Sequence, residues 1–203
     1  MELYKKYYID RDYEYLDLFV KLNQEYEIEK VLYPGSFVHI TPSFVFPHIV
    51  YVDSYKKADT FFKDQVVYEF ISKKKKYPQE AKVVFHNADY TENFGEKECN
   101  FDLLISLYAG FISQACKKYL KIDGLLVANN SHGDAGMASI DGDYEFIAVA
   151  NHRNKRFSIS GKNLDRYFVP KKDITVTKEY LQNIKRGVGY TKTATVYIFR
   201  RIR

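Results

Sequence analysis

Tryptophan is absent from this 203-residue chain, cysteine and methionine occur twice each, and proline only five times. Cys99 and Cys116 form no CxxC pair, so neither a thiol-redox motif nor a zinc knuckle is expected. So few thiols fit a reducing compartment, and the expected location is the cytoplasm. No apolar run approaches the roughly 20 residues that a membrane-spanning helix needs. The opening MELYKKYYIDRDYEY is too polar for a secretory leader. The dinucleotide fingerprint G-x-G-x-x-G is missing. His39, His48, His86, His132 and His152 are scattered, without HxxxH spacing or a matching Cys–Asp pattern. No metal site is therefore expected.

What the chain does contain is tyrosine and phenylalanine, 19 and 15 of them, within a composition that is 46% hydrophobic and 28% charged. That is a globular composition, and the length suits one substantial core. The expected organisation is a single domain over 1–203, made of an N-terminal helical extension (1–28), a central half (29–130) and a C-terminal remainder (131–203). The net charge is +5, from 31 Lys and Arg against 26 Asp and Glu. Lys73–Lys76 and the tail Arg200, Arg201 and Arg203 carry part of that excess. A mild excess permits an anionic partner without requiring one.

Periodicity organises the chain further. Tyr15, Leu16, Leu18, Phe19 and Leu22 have helical spacing. Lys30–Tyr33, Ile49–Val52, Lys82–Phe85, Phe101–Ser106 and Leu125–Ala128 read as five short buried strands. Lys56 to about Tyr77 and Ala109–Leu120 read as helices between them. Gly124 breaks or edges the second of these. Thr41-Pro42 looks like a helix start, cut short by Pro47. Tyr144–Ala150, Arg156–Ile159 and Thr193–Phe199 read as later strands, Asn163–Phe168 as weakly helical, and Thr177–Arg186 as a polar stretch without a clear pattern. Apolar strands alternating with helices predict an α/β fold, a three-layer Rossmann-like sandwich with a mostly parallel sheet. Its ligands then belong at the carboxyl ends of the strands, near the point where strand order reverses.

Val31-Leu32-Tyr33-Pro34-Gly35-Ser36, a strand feeding a glycine turn, is followed by Asp53 at the end of the next strand. In this the chain resembles the class I S-adenosylmethionine-dependent methyltransferases over about residues 28–130. The resemblance implies cofactor contacts from Tyr33, Pro34, Gly35 and Ser36. It implies ribose hydroxyls at Asp53, with Ser54 beside it, because one carboxylate can accept two hydrogen bonds. It further implies adenine at Ala88 and Asp89, and the loop of Ser106 and Tyr108 against the cofactor and the methyl acceptor. An antiparallel C-terminal edge is implied as well, with Tyr144–Ala150 and Thr193–Phe199 as its strands. The first motif departs from the family in carrying one glycine where two or three are usual. The Asn-Pro-Pro-Tyr and Pro-Cys motifs of nucleobase methylation are absent.

Plainer roles are open to the same residues: a turn for Gly35, a helix cap for Asp53, a surface loop for Asp89. Asn129-Asn130-Ser131-His132-Gly133-Asp134 is the densest polar cluster. His132 is placed there to act as a general base, with Asp134 to orient it, and a glycine-rich loop is the plainer reading. The expected protein binds S-adenosylmethionine and serves an unassigned methyl acceptor, small or macromolecular. The open alternatives are a methyltransferase-like module without catalysis and an α/β enzyme of another nucleotide. The basic tail can meet phosphate, which keeps nucleic acid among the partners considered; no membrane partner is expected.

Overall fold

A computed structural model describes all residues, Met1–Arg203. The inner strands form where the sequence is mostly apolar, because both faces of the sheet are covered there. β1 (Lys30–Pro34), β2 (His48–Val52), β3 (Lys82–His86), β4 (Phe101–Ser106) and β5 (Leu120–Ala128) are joined in parallel. β6 (Tyr144–Arg153), β7 (Arg156–Ser160) and β8 (Val196–Arg201) complete one eight-stranded sheet in the order β3-β2-β1-β4-β5-β8-β6-β7. β8 runs antiparallel to both β5 and β6, and β7 antiparallel to β6. This is the Rossmann-like sandwich with an antiparallel C-terminal edge that the sequence leads one to expect.

Alternation along the strands sorts the core into two layers. Val31, Tyr33, Ile49, Tyr51, Leu103 and Ile105 face α2 (Leu16–Glu25), α3 (Lys56–Phe62) and α4 (Gln65–Lys74). Leu32, Val50, Val52, Leu104 and Leu126 face α5 (Ile112–Ala115) and α6 (Asp134–Ser139). A last helix, α7 (Lys178–Ile184), packs on α6 through Leu181 and Met137.

Several elements differ from their sequence-based expectation, each for a local reason. The helix expected over Lys56–Tyr77 is two, because Asp64 caps the second by accepting from Val66 N at 3.0 Å. The helix expected over Ala109–Leu120 is only α5 and a 3-10 turn, Lys117–Tyr119. β5 has already begun at Leu120, and Gly124 lies inside it, where the β4 pairing shifts register. Polar Thr177–Arg186 holds α7, capped by Thr177 accepting from Tyr180 N at 3.1 Å. Between β1 and β2 there is a single 3-10 turn, Thr41–Phe44.

The first fifteen residues contribute Tyr4 and Tyr15 to the core. α1 (Glu2–Tyr4) starts a helix that widens into a π-helical turn, Lys5–Ile9. Tyr4 is fully buried against Phe44 and Phe70. Its hydroxyl donates to Glu14 Oε1 at 2.6 Å and lies 2.8 Å from Thr41 Oγ1. Truncating such a ring in a closed core costs about 3–5 kcal/mol. Tyr4→Ala should therefore lower the urea-unfolding free energy by that amount, whereas a detached extension would leave it unchanged.

Candidate functional site

Strand order reverses between β1 and β4, the point at which open α/β sheets take ligands in a crevice at the carboxyl ends of the strands. Gly35 turns the chain out of β1 with φ +62°, and its amide still extends the ladder to Val52 O at 2.8 Å. A Cβ at this position would lie 2.6 Å from Ala109 Cβ, so the loops after β1 and β4 touch because glycine is there. Phe37 (φ 48°) and Tyr108 (φ 60°) are also left-handed, a conformation costly for bulky residues that nine other non-glycine residues along the chain share.

Asp53 fixes this geometry. Its Oδ2 accepts from Phe37 N and its Oδ1 from Tyr55 N, both at 2.8 Å. The carboxylate thus ties the β1 loop to the end of β2. Each oxygen keeps a second lone pair, and the side chain is only half-buried. Ser36 is buried, and its hydroxyl has no hydrogen-bond partner. An unpaired buried hydroxyl costs about 1–3 kcal/mol, so a partner is wanted at this turn. Tyr33 and Pro34 are buried at the end of β1, while Ser54 is exposed beside Asp53.

The remaining expected residues divide. Ala88 is half-buried. Asp89 is exposed and folds onto its own turn, Oδ1 accepting from Thr91 N and Oγ1 at 2.8 Å. Those bonds hold its pKa down. Ser106 is buried, and its hydroxyl donates to Asp134 Oδ2 at 2.5 Å. Tyr108 is exposed at the rim, its amide donating to Asn129 Oδ1 at 3.3 Å.

Asp134 does not orient His132. Its carboxylate points inward to Ser106 and to Ser113, accepting from Ser113 Oγ at 2.5 Å and from Ser113 N at 3.0 Å. Burial raises its pKa to about 6, against the opposing pull of those donors. His132 is exposed and lies 3.0 Å from Ser131 Oγ through Nδ1. No three His, Cys, Asp or Glu side chains converge in the manner of a metal site.

Sequence reasoning missed what covers the crevice. The N-terminal segment spans it from the β1 loop to the β4 loop. Tyr8 stacks on His39 with centroids 4.2 Å apart and donates to Ser36 O at 3.4 Å. Tyr7 packs edge-on against Phe37. Tyr15 and Tyr108 join hydroxyls at 2.7 Å, and Tyr13 stacks on Tyr108. Tyr90 stands between the two loops, its ring near Gly35 and its hydroxyl near Gly110. The available signal was five of the chain's 19 tyrosines within its first fifteen residues, too many for a solvated extension.

His39 anchors the cover from below. Nε2 is 3.0 Å from Glu14 O and Nδ1 is 2.9 Å from Tyr33 Oη. The carbonyl can only accept, so Nε2 carries the proton and Nδ1 accepts from the phenol. Burial lowers the His39 pKa to about 4, against a smaller opposite effect of the Glu14 carbonyl.

No family model and no curated relative matches the sequence. Among solved structures, the chain is similar to a protein from Klebsiella pneumoniae provisionally assigned as an O-methyltransferase. The TM-score is 0.49 at 13% identity, over 72% of this chain and 76% of that one. It is similar to a methyltransferase from Geobacter sulfurreducens, with TM-score 0.47 and 14% identity over 66% and 71% of the two chains. A third similar structure is coclaurine N-methyltransferase bound to N-methylheliamine and SAH, at TM-score 0.39 and 14% identity. That match covers 56% of this chain, which spans only 33% of that enzyme.

His39 and Asp134 give opposite pH dependences. With its folded pKa below the ordinary 6.5, His39 withdraws stability as pH falls from 6.5 to about 4. With its folded pKa above the ordinary 3.8, Asp134 withdraws stability as pH rises from 3.8 to about 6. Each effect amounts to about 3 kcal/mol at 1.36 kcal/mol per pKa unit. Chemical denaturation between pH 4 and 6.5 should therefore show stability rising with pH in Asp134→Asn and falling with pH in His39→Gln, each relative to wild type. Parallel profiles for all three proteins would remove both assignments.

Proposed function

We propose that this chain binds S-adenosylmethionine in the crevice between the β1 and β4 loops and passes its methyl group to an acceptor held over the β4 and β5 loops. The observation that carries the reading is the placing of Asp53. A carboxylate at the end of β2, fixed by the amides of Phe37 and Tyr55 and keeping lone pairs, suits a ribose diol. The orphaned Ser36 hydroxyl beside it supports the same reading.

When bound, the cofactor supplies an electrophilic methyl group on a sulfonium. The chain's part is to align and to shield, and positioning of this kind lowers barriers substantially. Asp53 accepts from the ribose hydroxyls, with Ser54 at its edge. Asp89 offers Oδ2 to the adenine amino group, next to Ala88. Gly35 and Ser36 line the methionine end, and the rings of Tyr8, Tyr15 and Tyr108 keep water out. The cover over Ser36 has to lift for entry. Ser106 acts from beneath, holding the β4 loop through Asp134. His132, exposed on the β5 loop, is the base offered to take a proton from the acceptor, and no acid orients it.

Another nucleotide suits the crevice less well. Pyrophosphates usually sit on a helix N-terminus, and here β1 leads only to the four-residue turn Thr41–Phe44. A module that binds the cofactor without transfer is favoured by the lone glycine and by the tyrosine cover. Assays with defined acceptor classes separate the two readings.

Calorimetry with S-adenosylmethionine, its demethylated product, NAD and ATP tests the proposal. The first two should bind and the last two should not. Asp53→Ala should weaken binding at least about tenfold, roughly 1.4 kcal/mol. Ser36→Ala should weaken binding yet raise the melting temperature of the ligand-free protein, because an unpaired buried hydroxyl is removed. No heat from either methionine-derived ligand at high micromolar concentration would sink the reading.

A further inference from the structure

The net positive charge of this protein is matched by one segment. Residues 161–195, between β7 and β8, hold eight of the 31 cationic residues and three of the 26 acidic ones, leaving 23 of each elsewhere. The segment's surplus of five equals that of the whole chain. Of its eight cations only Lys178 has a carboxylate within 4.0 Å, Asp141 at 3.7 Å. Lys171, Lys172, Lys185 and Arg186 are exposed and form no ion pair, with Asp173 and Glu179 the acids nearest in sequence. The C-terminal arginines, by contrast, serve the fold: Arg201 donates to the carbonyls of Lys117 and Leu120, and Arg200 faces Glu145 at 4.0 Å.

The segment encloses a cleft of about 310 Å³ lined by Lys171, Lys172, Arg186 and Tyr180, with the backbone of Gly187–Gly189. No acidic side chain lines it. Tyr180 is 37% exposed, so an aromatic face stands beside three unpaired cations. The cleft is fastened to the sheet edge. Asn130 Nδ2 donates to Val188 O at 3.1 Å, and Gly187 N reaches Ser131 O at 3.4 Å. Only glycine fits at 187, because a Cβ there would collide with the Asn130 carbonyl.

We infer that this segment is a docking surface for single-stranded nucleic acid, with Lys171, Lys172 and Arg186 on the phosphates and Tyr180 stacked on a base. Cations beside an aromatic platform are the combination that single strands require. An acidic peptide or an anionic bilayer would use the charges and leave the ring without a role. The inference rests on charge and geometry in this segment and holds whether or not the crevice takes S-adenosylmethionine.

Fluorescence anisotropy with labelled 20-nucleotide single-stranded RNA and DNA, without cofactor, provides the test. Binding should be tighter than about 100 µM at physiological salt, the weak limit of non-specific association. The combined variant Lys171→Ala, Lys172→Ala, Arg186→Ala should flatten the log–log salt slope by about 2, since each lost single-strand phosphate contact is worth about 0.7. Tyr180→Ala should weaken binding about fivefold or more and leave that slope unchanged. All four residues are exposed, so melting temperatures should stay at the wild-type value. Binding absent, or retained in full by the combined variant, overturns the inference. Equal or tighter binding of polyglutamate or phosphatidylserine vesicles overturns the assignment to nucleic acid.

Discussion

A neutral imidazole, His39, joins the three parts on which the crevice depends. Through Tyr33 it grips β1, through the Glu14 carbonyl it holds the N-terminal segment, and its own backbone belongs to the loop that follows the glycine turn. Tyr8 lies flat on its face. Both ring nitrogens are used, so the imidazole has one tautomer and one orientation. Without that tie, the stacked tyrosines above would have no fixed floor, and the Asp53 carboxylate would hold a loop free to drift.

The fold was largely legible in the amino-acid sequence because strands buried on both faces are mostly apolar runs. Ile49–Val52 and Phe101–Ser106 could be read without any partner. Helices were harder. The α3–α4 break turns on one aspartate cap, and the strand start at Leu120 on a register shift beside Gly124. Neither leaves a trace in hydrophobic periodicity.

Legibility of the site was narrower. Gly35 and Asp53 were accessible because a turn and a strand-end acid are local features. Where Ser106 and Asp134 point was not, because that depends on which layer covers them. A buried acid between two serines and an exposed acid beside a histidine look alike in one dimension. Tyr90, Phe37 and the tyrosine cover were missed for a related reason: aromatic rings meet across long sequence separations, as Tyr15 and Tyr108 do.

The segregation of charge has a further consequence. A net charge held on one off-centre segment gives the molecule a positive end there. In the field of a polyanion it feels a torque before any contact forms. Encounters would then be oriented, the segment between β7 and β8 leading. Since Asn130 and Gly187 lock that segment to the loop after β5, the same rotation turns the crevice's rim toward whatever the molecule approaches.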